Sequence, residues 1–530
     1  MKKMTDWLKG PAAMAALAGV VAAAVVLAVA ELLGAFFTAR ATPLIALGST
    51  FIDFTPSWLK DFAIATFGTN DKAALFVGMG LTIAVLACVL GVVAYRRWTW
   101  GVLGVLFMGA VIVASVVTRA GVGAMDAIPS VVGTFAGLLV LRLLVARIRG
   151  VQAWPEAPAS AAVDADPMED NPRKGASRRR FFAAAGITAA AAGLAATGGR
   201  LLGAARSNIL QARDALQLPV PARWAPAVPA GVQSPVPGVT PWLTPNGEFY
   251  RIDTALSVPE IDVDNWELRL HGMVEEEVRL TFQDLLDAEL IESHVTLTCV
   301  SNPVGGNLAG NAKWLGLPLR EVLKRARPKD GADMVLSTSI DGFSASTPLE
   351  VLQDDRDAML AIGMNGEPLP LEHGYPVRMV VPGLYGFVSA TKWVVDLEVT
   401  RFADSKAYWT ERGWSERGPI KTMARVDVPK SFAKVPAGTV AVGGTAWAQT
   451  RGISKVEVQV DDGEWMEADL SAEASLVTWR QWSFQWEAAP GQHYLKVRAT
   501  DGTGEVQTDQ RADPVPNGAS GWQSVMVTVQ

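Results

Sequence analysis

Four apolar runs crowd the first 150 residues: Ala12–Leu33, Ala73–Tyr95, Gly101–Val117 and Ile128–Val145. Each has about 17–23 residues, enough to cross a hydrocarbon core of about 30 Å. Lys2, Lys3 and Lys9 precede the first run, Arg96 and Arg97 follow the second, and Arg142, Arg147 and Arg149 close the fourth. Putting all three basic groups on the cytoplasmic side gives four passes with both ends inside. Residues 1–150 are therefore expected to form a multi-pass helical region in a bacterial cell membrane, in contact with lipid. The loop from Phe51 to Phe54, with Trp58 to Lys60, is expected at the outer interface. No carboxylate or histidine sits midway along a run, so the region reads as an anchor ahead of an electron-handling role. A transporter is disfavoured for the same reason.

The rest of the 530-residue chain is too long for one further core, so several units are expected. A net charge of −6 without a large basic patch argues against nucleic acid. Only Cys88 and Cys299 are present, which excludes a disulfide framework, a cysteine-rich zinc site and the usual protein-ligated iron–sulfur cluster. The four histidines, His271, His294, His373 and His493, all lie downstream of the apolar runs. No membrane helix can then ligate haem through histidine, and there is no Cys-x-x-Cys-His for covalent attachment. Neither haem nor an iron–sulfur cluster is expected in this chain.

Residues 151–176, rich in Pro, Ala, Asp and Glu, suggest a cytoplasmic linker. The string Ser177-Arg-Arg-Arg-Phe-Phe182, opening a small-residue segment to 205, resembles a twin-arginine export signal; a fifth membrane helix is the alternative. Either puts the remainder outside the cytoplasm. Prolines from Pro219 to Pro245 make residues 206–248 an extended extracytoplasmic tether. Residues 249–424 mix strand and helix patterns, with turn dipeptides at Asp341-Gly342 and Asn365-Gly366, as in an α+β domain. In residues 425–530 the pattern changes to short alternating strands. Val456-Glu-Val-Gln-Val460, followed by Asp461-Asp-Gly463, exemplifies a β-sandwich of immunoglobulin type.

His294-Val-Thr-Leu-Thr-Cys299 reads as a β-branched strand ending in a turn of Asn302, Pro303, Gly305 and Gly306. A thiol at a strand end beside glycines suits a soft metal, although a buried cysteine acting as a small hydrophobe is the commoner use. This stretch, with His373-Gly-Tyr-Pro-Val-Arg378-Met-Val-Val-Pro-Gly383 and Lys392-Trp393, resembles the sulfite-oxidase family of molybdenum–pterin enzymes. So do Gly444-Thr-Ala-Trp447 and Asp461-Asp-Gly-Glu-Trp465, which are similar to that family's dimerisation domain. The resemblance runs from about Phe249 to Gln530. It implies an N-terminal all-α transmembrane region, an α+β sulfite-oxidase-type molybdopterin domain and a C-terminal all-β immunoglobulin-like sandwich.

The resemblance further implies that Cys299 ligates molybdenum and that the molybdopterin is held by Phe249, Tyr250, Arg251, Asp341, His373, Arg378, Ala390, Thr391 and Lys392. It leaves Trp314 and Arg451 as catalytic-pocket residues. Two family features are missing: Val304 stands where a cation follows the cysteine, and Ile362 where a tyrosine precedes Met364-Asn-Gly366. An anion pocket lacking both would hold a small dianion less well, which makes an organic sulfoxide or N-oxide at least as suitable as sulfite. The reading is an extracytoplasmic oxygen-atom-transfer enzyme. It would exchange electrons with a separate protein or quinone and could form a homodimer. A cofactor-free, membrane-anchored binding protein is the alternative.

Overall fold

The computed structural model describes residues 10–34, 46–48, 50, 51, 55, 66, 71–118, 124–152, 181–194, 197, 209–255 and 257–530. The basic residues Lys2, Lys3 and Lys9, most of the expected interface loop, the linker beyond Gln152 and Ser177–Arg180 lie outside them. The chain divides into two units, Met1–Asn208 with Ala255–Ser257, and Ile209–Thr254 with Val258–Gln530.

The first unit is helical: α1 (Pro11–Gly34), α2 (Asp71–Arg96), α3 (Trp98–Val117), α4 (Ile128–Gln152) and a shorter α5 (Phe181–Leu194). The first four are long and apolar enough to cross a membrane. Small residues let α1 and α2 touch backbone to backbone: a Cβ on Gly19 would lie 1.9 Å from the Ala87 carbonyl oxygen. Phe181 inserts among Met14, Leu141, Leu144 and Ile148 in the bundle core. Val77, Leu81, Val85, Trp100, Leu103 and Phe107 face outward. Arg149 ties the end of α4 to the end of α2 by donating to the Ala94 and Tyr95 carbonyls at 3.2 and 2.7 Å, acceptors that the end of α2 leaves open.

The second unit is built mainly of strands. In chain order these begin with β1 (Glu267–Gly272), β2 (Val278–Thr281), β3 (Ile291–Thr298), β4 (Ala309–Pro318) and β5 (Met334–Ser339). They continue with β6 (Ser344–Pro348), β7 (Met359–Met364), β8 (Glu367–Pro368), β9 (Arg378–Val380) and β10 (Val394–Thr400). One sheet runs β2-β1-β10-β5-β6 and another β3-β4-β7-β8, with β9 added to β7. Both turn dipeptides fall where expected. Gly342 joins β5 to β6, and Asn365 and Gly366, both at positive φ (53° and 89°), join β7 to β8.

The C-terminal strands are β11 (Met423–Val428), β12 (Ala433–Val435), β13 (Gly438–Trp447), β14 (Ile453–Val460) and β15 (Trp465–Glu467). After them come β16 (Asp469–Leu470), β17 (Arg480–Ala488), β18 (Gly491–Asp501) and β19 (Gln523–Val529). They form two sheets, β11-β13-β17-β16 and β12-β19-β18-β14-β15. Val456 and Val458, alternate residues of β14, enter one core with Val442, Trp482, Trp486, Leu495, Val497 and Val527.

The Pro-rich stretch corrects an expectation. It is extended, but from Leu216 onward it is no free tether. Val232, Val236, Val239 and Trp242 are buried, and glutamines supply the pairing that prolines withhold from a sheet. Ser234 N–H donates to Gln481 Oε1 at 2.5 Å, Gln481 Nε2 donates to the Thr240 carbonyl at 2.6 Å, and Trp479 Nε1 donates to the Trp242 carbonyl at 2.9 Å. Asn311 Nδ2 reaches the same Trp242 carbonyl at 2.9 Å. The stretch is thus a strap joining β4 of the first pair of sheets to β17 of the second.

Candidate active site

Cys299 follows the last residue of β3 and is buried, with 8% of its surface exposed. Its N–H donates to the Leu308 carbonyl at 2.9 Å and its sulfur lies 3.0 Å from Ser301 Oγ. Burial pushes the thiol up, with Ser301 opposing the shift. The turn beyond it is held from the C-terminal sheets. Gly305 has φ +76°, and a Cβ there would come within 2.6 Å of the Gln523 side chain. The Gly306 carbonyl accepts from Arg425 Nη1 at 2.9 Å, and Arg425 is itself paired with Asp427 at 2.7 Å.

The segment from Phe249 to Thr254 threads the other residues together. Phe249 lies flat on Tyr250 (5.2 Å between centroids) and edge-on to Trp314 and His373. Asp253, which the sequence reading did not single out, accepts from Arg251 Nε at 2.9 Å and Lys392 Nζ at 2.7 Å. Thr254 Oγ1 donates to Asp341 Oδ2 at 3.3 Å. The Arg378 guanidinium is buried with carbonyl partners only: His373 at 3.0 Å, Met379 at 3.4 Å and Ala390 at 3.5 Å. Among the described residues no carboxylate pairs with it. Gly374, at φ +113°, brings backbone between Arg378 and Lys392; a Cβ there would be 2.9 and 3.2 Å from theirs.

Burial therefore sets the electrostatics. Arg378 is lowered to about 10 and Lys392 to about 8, Asp253 opposing the second shift. His373 falls to about 4 through burial and the neighbouring Arg378, so its ring is neutral; Nε2 lies 3.0 Å from the Asn246 carbonyl. Tyr250 is raised by burial and by Cys299, with Arg378 pulling the other way. Tyr385 is a second phenol, pushed up to about 12 mainly by burial, that senses both Cys299 and Arg451. Its hydroxyl accepts from Lys421 N–H at 3.4 Å, while Arg451 Nη2 donates to the adjacent Ile420 carbonyl at 3.2 Å.

Two of the expected residues are enclosed. Trp314 is fully enclosed; its indole N–H donates to the Val295 carbonyl at 3.2 Å and its ring lies 5.0 Å from the Arg378 guanidinium carbon. It is a wall beneath Arg378 and not open to a substrate. Thr391 is buried with its hydroxyl 2.7 Å from Ser337 Oγ, so that hydroxyl is already engaged. Of the remaining expected residues, Arg251 and Lys392 meet at Asp253, Phe249, Tyr250 and His373 form one aromatic cluster, and Asp341 is held by Thr254.

This arrangement suits a large anionic group that brings its own metal ligands. Among the described residues, Arg251 and Lys392 share the Asp253 carboxylate, Arg378 has none, and the buried Thr298 hydroxyl beside Cys299 has no hydrogen-bond partner. Among those residues no three His, Cys, Asp or Glu side chains are grouped to hold a metal ion. A metal at Cys299 would take its other ligands from a non-protein group.

Residues 255–409 match the family model described as the oxidoreductase molybdopterin binding domain. The uncharacterized oxidoreductase YuiH of Bacillus subtilis is 31% identical over 157 residues, which is 30% of this chain and 76% of that protein. The chain belongs to the sulfite-oxidase family of molybdenum–pterin oxidoreductases. Mitochondrial sulfite oxidase of Mus musculus is 29% identical over 317 residues, or 51% of this chain. This family member spans 58% of that relative's length. Among solved structures, the sulfane dehydrogenase SoxCD from Paracoccus pantotrophus is similar over 54% of this chain and 81% of that chain, with 24% identity and a TM-score of 0.48.

Proposed function

We propose that this chain is a membrane-anchored, molybdopterin-dependent oxidoreductase carrying out oxygen-atom transfer outside the cytoplasm, with Cys299 as the protein ligand to molybdenum. The observation that carries the reading is Arg378: a buried guanidinium at the start of β9 with carbonyl partners only, stacked on Trp314 and electrostatically coupled to Tyr250 and Lys392. A buried cation without a carboxylate is costly on its own and becomes favourable when a phosphate or another anion arrives. When bound, the molybdenum–pterin group supplies the two-electron chemistry and the transferable oxygen.

The chain's own residues then have separate tasks. Arg378, Lys392 and Arg251 grip the anionic part of the cofactor, and Asp253 sets the direction of the latter two. His373, neutral at physiological pH, contributes a hydrogen bond without adding charge. Tyr250 and Tyr385 stay protonated and can donate to an oxygen near the sulfur. Arg451 supplies a cation on the Tyr385 side. Two phenols and that guanidinium compensate for the cation and tyrosine missing at Val304 and Ile362, so sulfite, sulfoxides and N-oxides are all candidate substrates. The helices α1–α4 serve as the anchor, the C-terminal strands read as an immunoglobulin-like sandwich that supports a homodimer, and electrons pass to or from a separate protein or quinone.

The test is molybdenum and pterin analysis of detergent-purified wild type and Cys299→Ser from a host that makes the cofactor. Near-stoichiometric metal and pterin in wild type, with metal lost or altered in the variant, is the expected result. Wild type without either would refute the enzyme and leave a cofactor-free binding protein.

A further inference from the structure

Arg451 reaches the site from the turn between β13 and β14, and its guanidinium is held on two sides. Nε donates to Asp501 Oδ2 at 2.7 Å; Nη2 donates to the Ile420 carbonyl at 3.2 Å and Thr422 Oγ1 at 3.0 Å. Nη1 has no partner among the described residues, and the side chain is 29% exposed. Ile420 and Thr422 bind Arg451 and flank Lys421, whose N–H Tyr385 accepts.

Asp501, at the end of β18, is fully buried and divides its two oxygens between two jobs. Oδ1 accepts from Thr503 N–H at 3.0 Å, Thr503 Oγ1 at 2.6 Å and Glu505 N–H at 3.1 Å, closing the turn after β18. Oδ2 accepts from Arg451 Nε and, at 3.1 Å, from Thr422 Oγ1. A carboxylate that only closed a turn would not need the second oxygen fixed by two further donors.

We infer that Asp501, through Oδ2 and with Thr422, is the positioning residue that locks the Arg451 guanidinium so that its open Nη1 edge meets a substrate oxygen on the Tyr385 side. This rests on the oxidoreductase reading of the same site. A flexible arginine would lose side-chain entropy each time it bound an oxyanion; a braced one has lost it beforehand. The ligand chemistry is an oxygen of an S–O or N–O group, and sulfate is an inert probe for it.

The experiment titrates full-length protein in detergent with sulfate by calorimetry, with molybdenum and pterin measured for each variant. Asp501→Asn keeps an acceptor for the turn but places an amide nitrogen against Arg451, and Asp501→Glu keeps the charge. Arg451→Gln and Asp501→Asn are each expected to weaken sulfate binding about tenfold, the double variant to be no weaker than either, and Asp501→Glu to recover part of the loss. Wild-type affinity in Asp501→Asn, losses that multiply in the double variant, or a wild type that binds no sulfate would each overturn the inference. If Asp501→Asn does not fold, Thr422→Val decides. Weaker binding only when Arg451 is present supports the brace, and unchanged binding overturns it. Metal and pterin contents report separately on the oxidoreductase reading, which fails if wild type carries neither, whatever sulfate does.

Discussion

Arg425 offers a way to separate stability from cofactor retention. Its side chain is 6% exposed and that of Asp427 is 3% exposed. Besides this partner at 2.7 Å it holds the Gly306 carbonyl at 2.9 Å and Thr240 Oγ1 at 3.1 Å, joining β11 to the cysteine turn and the strap. In Arg425→Met the Asp427 carboxylate remains buried with the Thr240 N–H at 3.2 Å. Breaking a buried pair in this way costs about 3–5 kcal/mol, and an uncovered carbonyl adds about 1 kcal/mol. A loss of about 4 kcal/mol should lower the apparent melting temperature, read by circular dichroism at a fixed scan rate, by about 10 °C. Removing both charges, in Arg425→Met with Asp427→Leu, relieves the stranded carboxylate and should restore most of that drop. It does not restore the grip on Gly306, so molybdenum content should stay low in both variants. A single variant melting within about 2 °C of wild type, or a double variant no more stable than the single, would refute the electrostatic argument. Full metal content in the double variant would refute the role assigned to the turn.

Acid should loosen the second unit. His373 moves from 6.5 to about 4, so between those values the unfolded chain binds a proton that the folded chain refuses, and stability rises with pH across that window. The loss on going from pH 6.5 to 4 is about 3 kcal/mol, and His373→Gln should flatten the pH dependence of urea unfolding there. Gly374→Ala forces a Cβ against Arg378 at a positive φ; it should cost about 2 kcal/mol or more and reduce pterin content, measured by fluorescence after release. Trp242→Ala empties the strap's largest buried position and should cost about 3–5 kcal/mol, visible as faster proteolysis between β16 and β17.

Local chemistry was well signalled in the sequence. A β-branched run ending in Cys299, the dipeptides Asp341-Gly342 and Asn365-Gly366, and the alternation of Val456 to Val460 each encode their geometry within a few residues, and each appears where expected. Proline density at Pro219–Pro245 correctly indicated extended backbone, but an extended chain can hang free or lie in a groove. The difference depends on Gln481 and Trp479, more than 200 residues away. The same holds at the site. Ile362 and Val304 suggested a pocket short of phenol and cation with Arg451 retained; what the sequence did not signal is that the backbone of Ile420 to Thr422 links Arg451 to Tyr385. Asp253 and Asp501 belong to no local motif, because each acts by ordering a cation that is distant in sequence.

The strap also has a temporal side. Its Trp242 carbonyl waits for an indole that the ribosome adds 237 residues later, and the Thr240 carbonyl for an amide 241 residues later. Until β17 emerges, the strap can lie against β3, β4 and β13, but a chain stopped before that strand leaves Val236, Val239 and Trp242 incompletely covered and suited to aggregation. Closing so long a loop comes late and makes folding of the whole unit slow compared with that of either pair of sheets. A strand made late, β17, is therefore the one that completes the segment at the start of this unit.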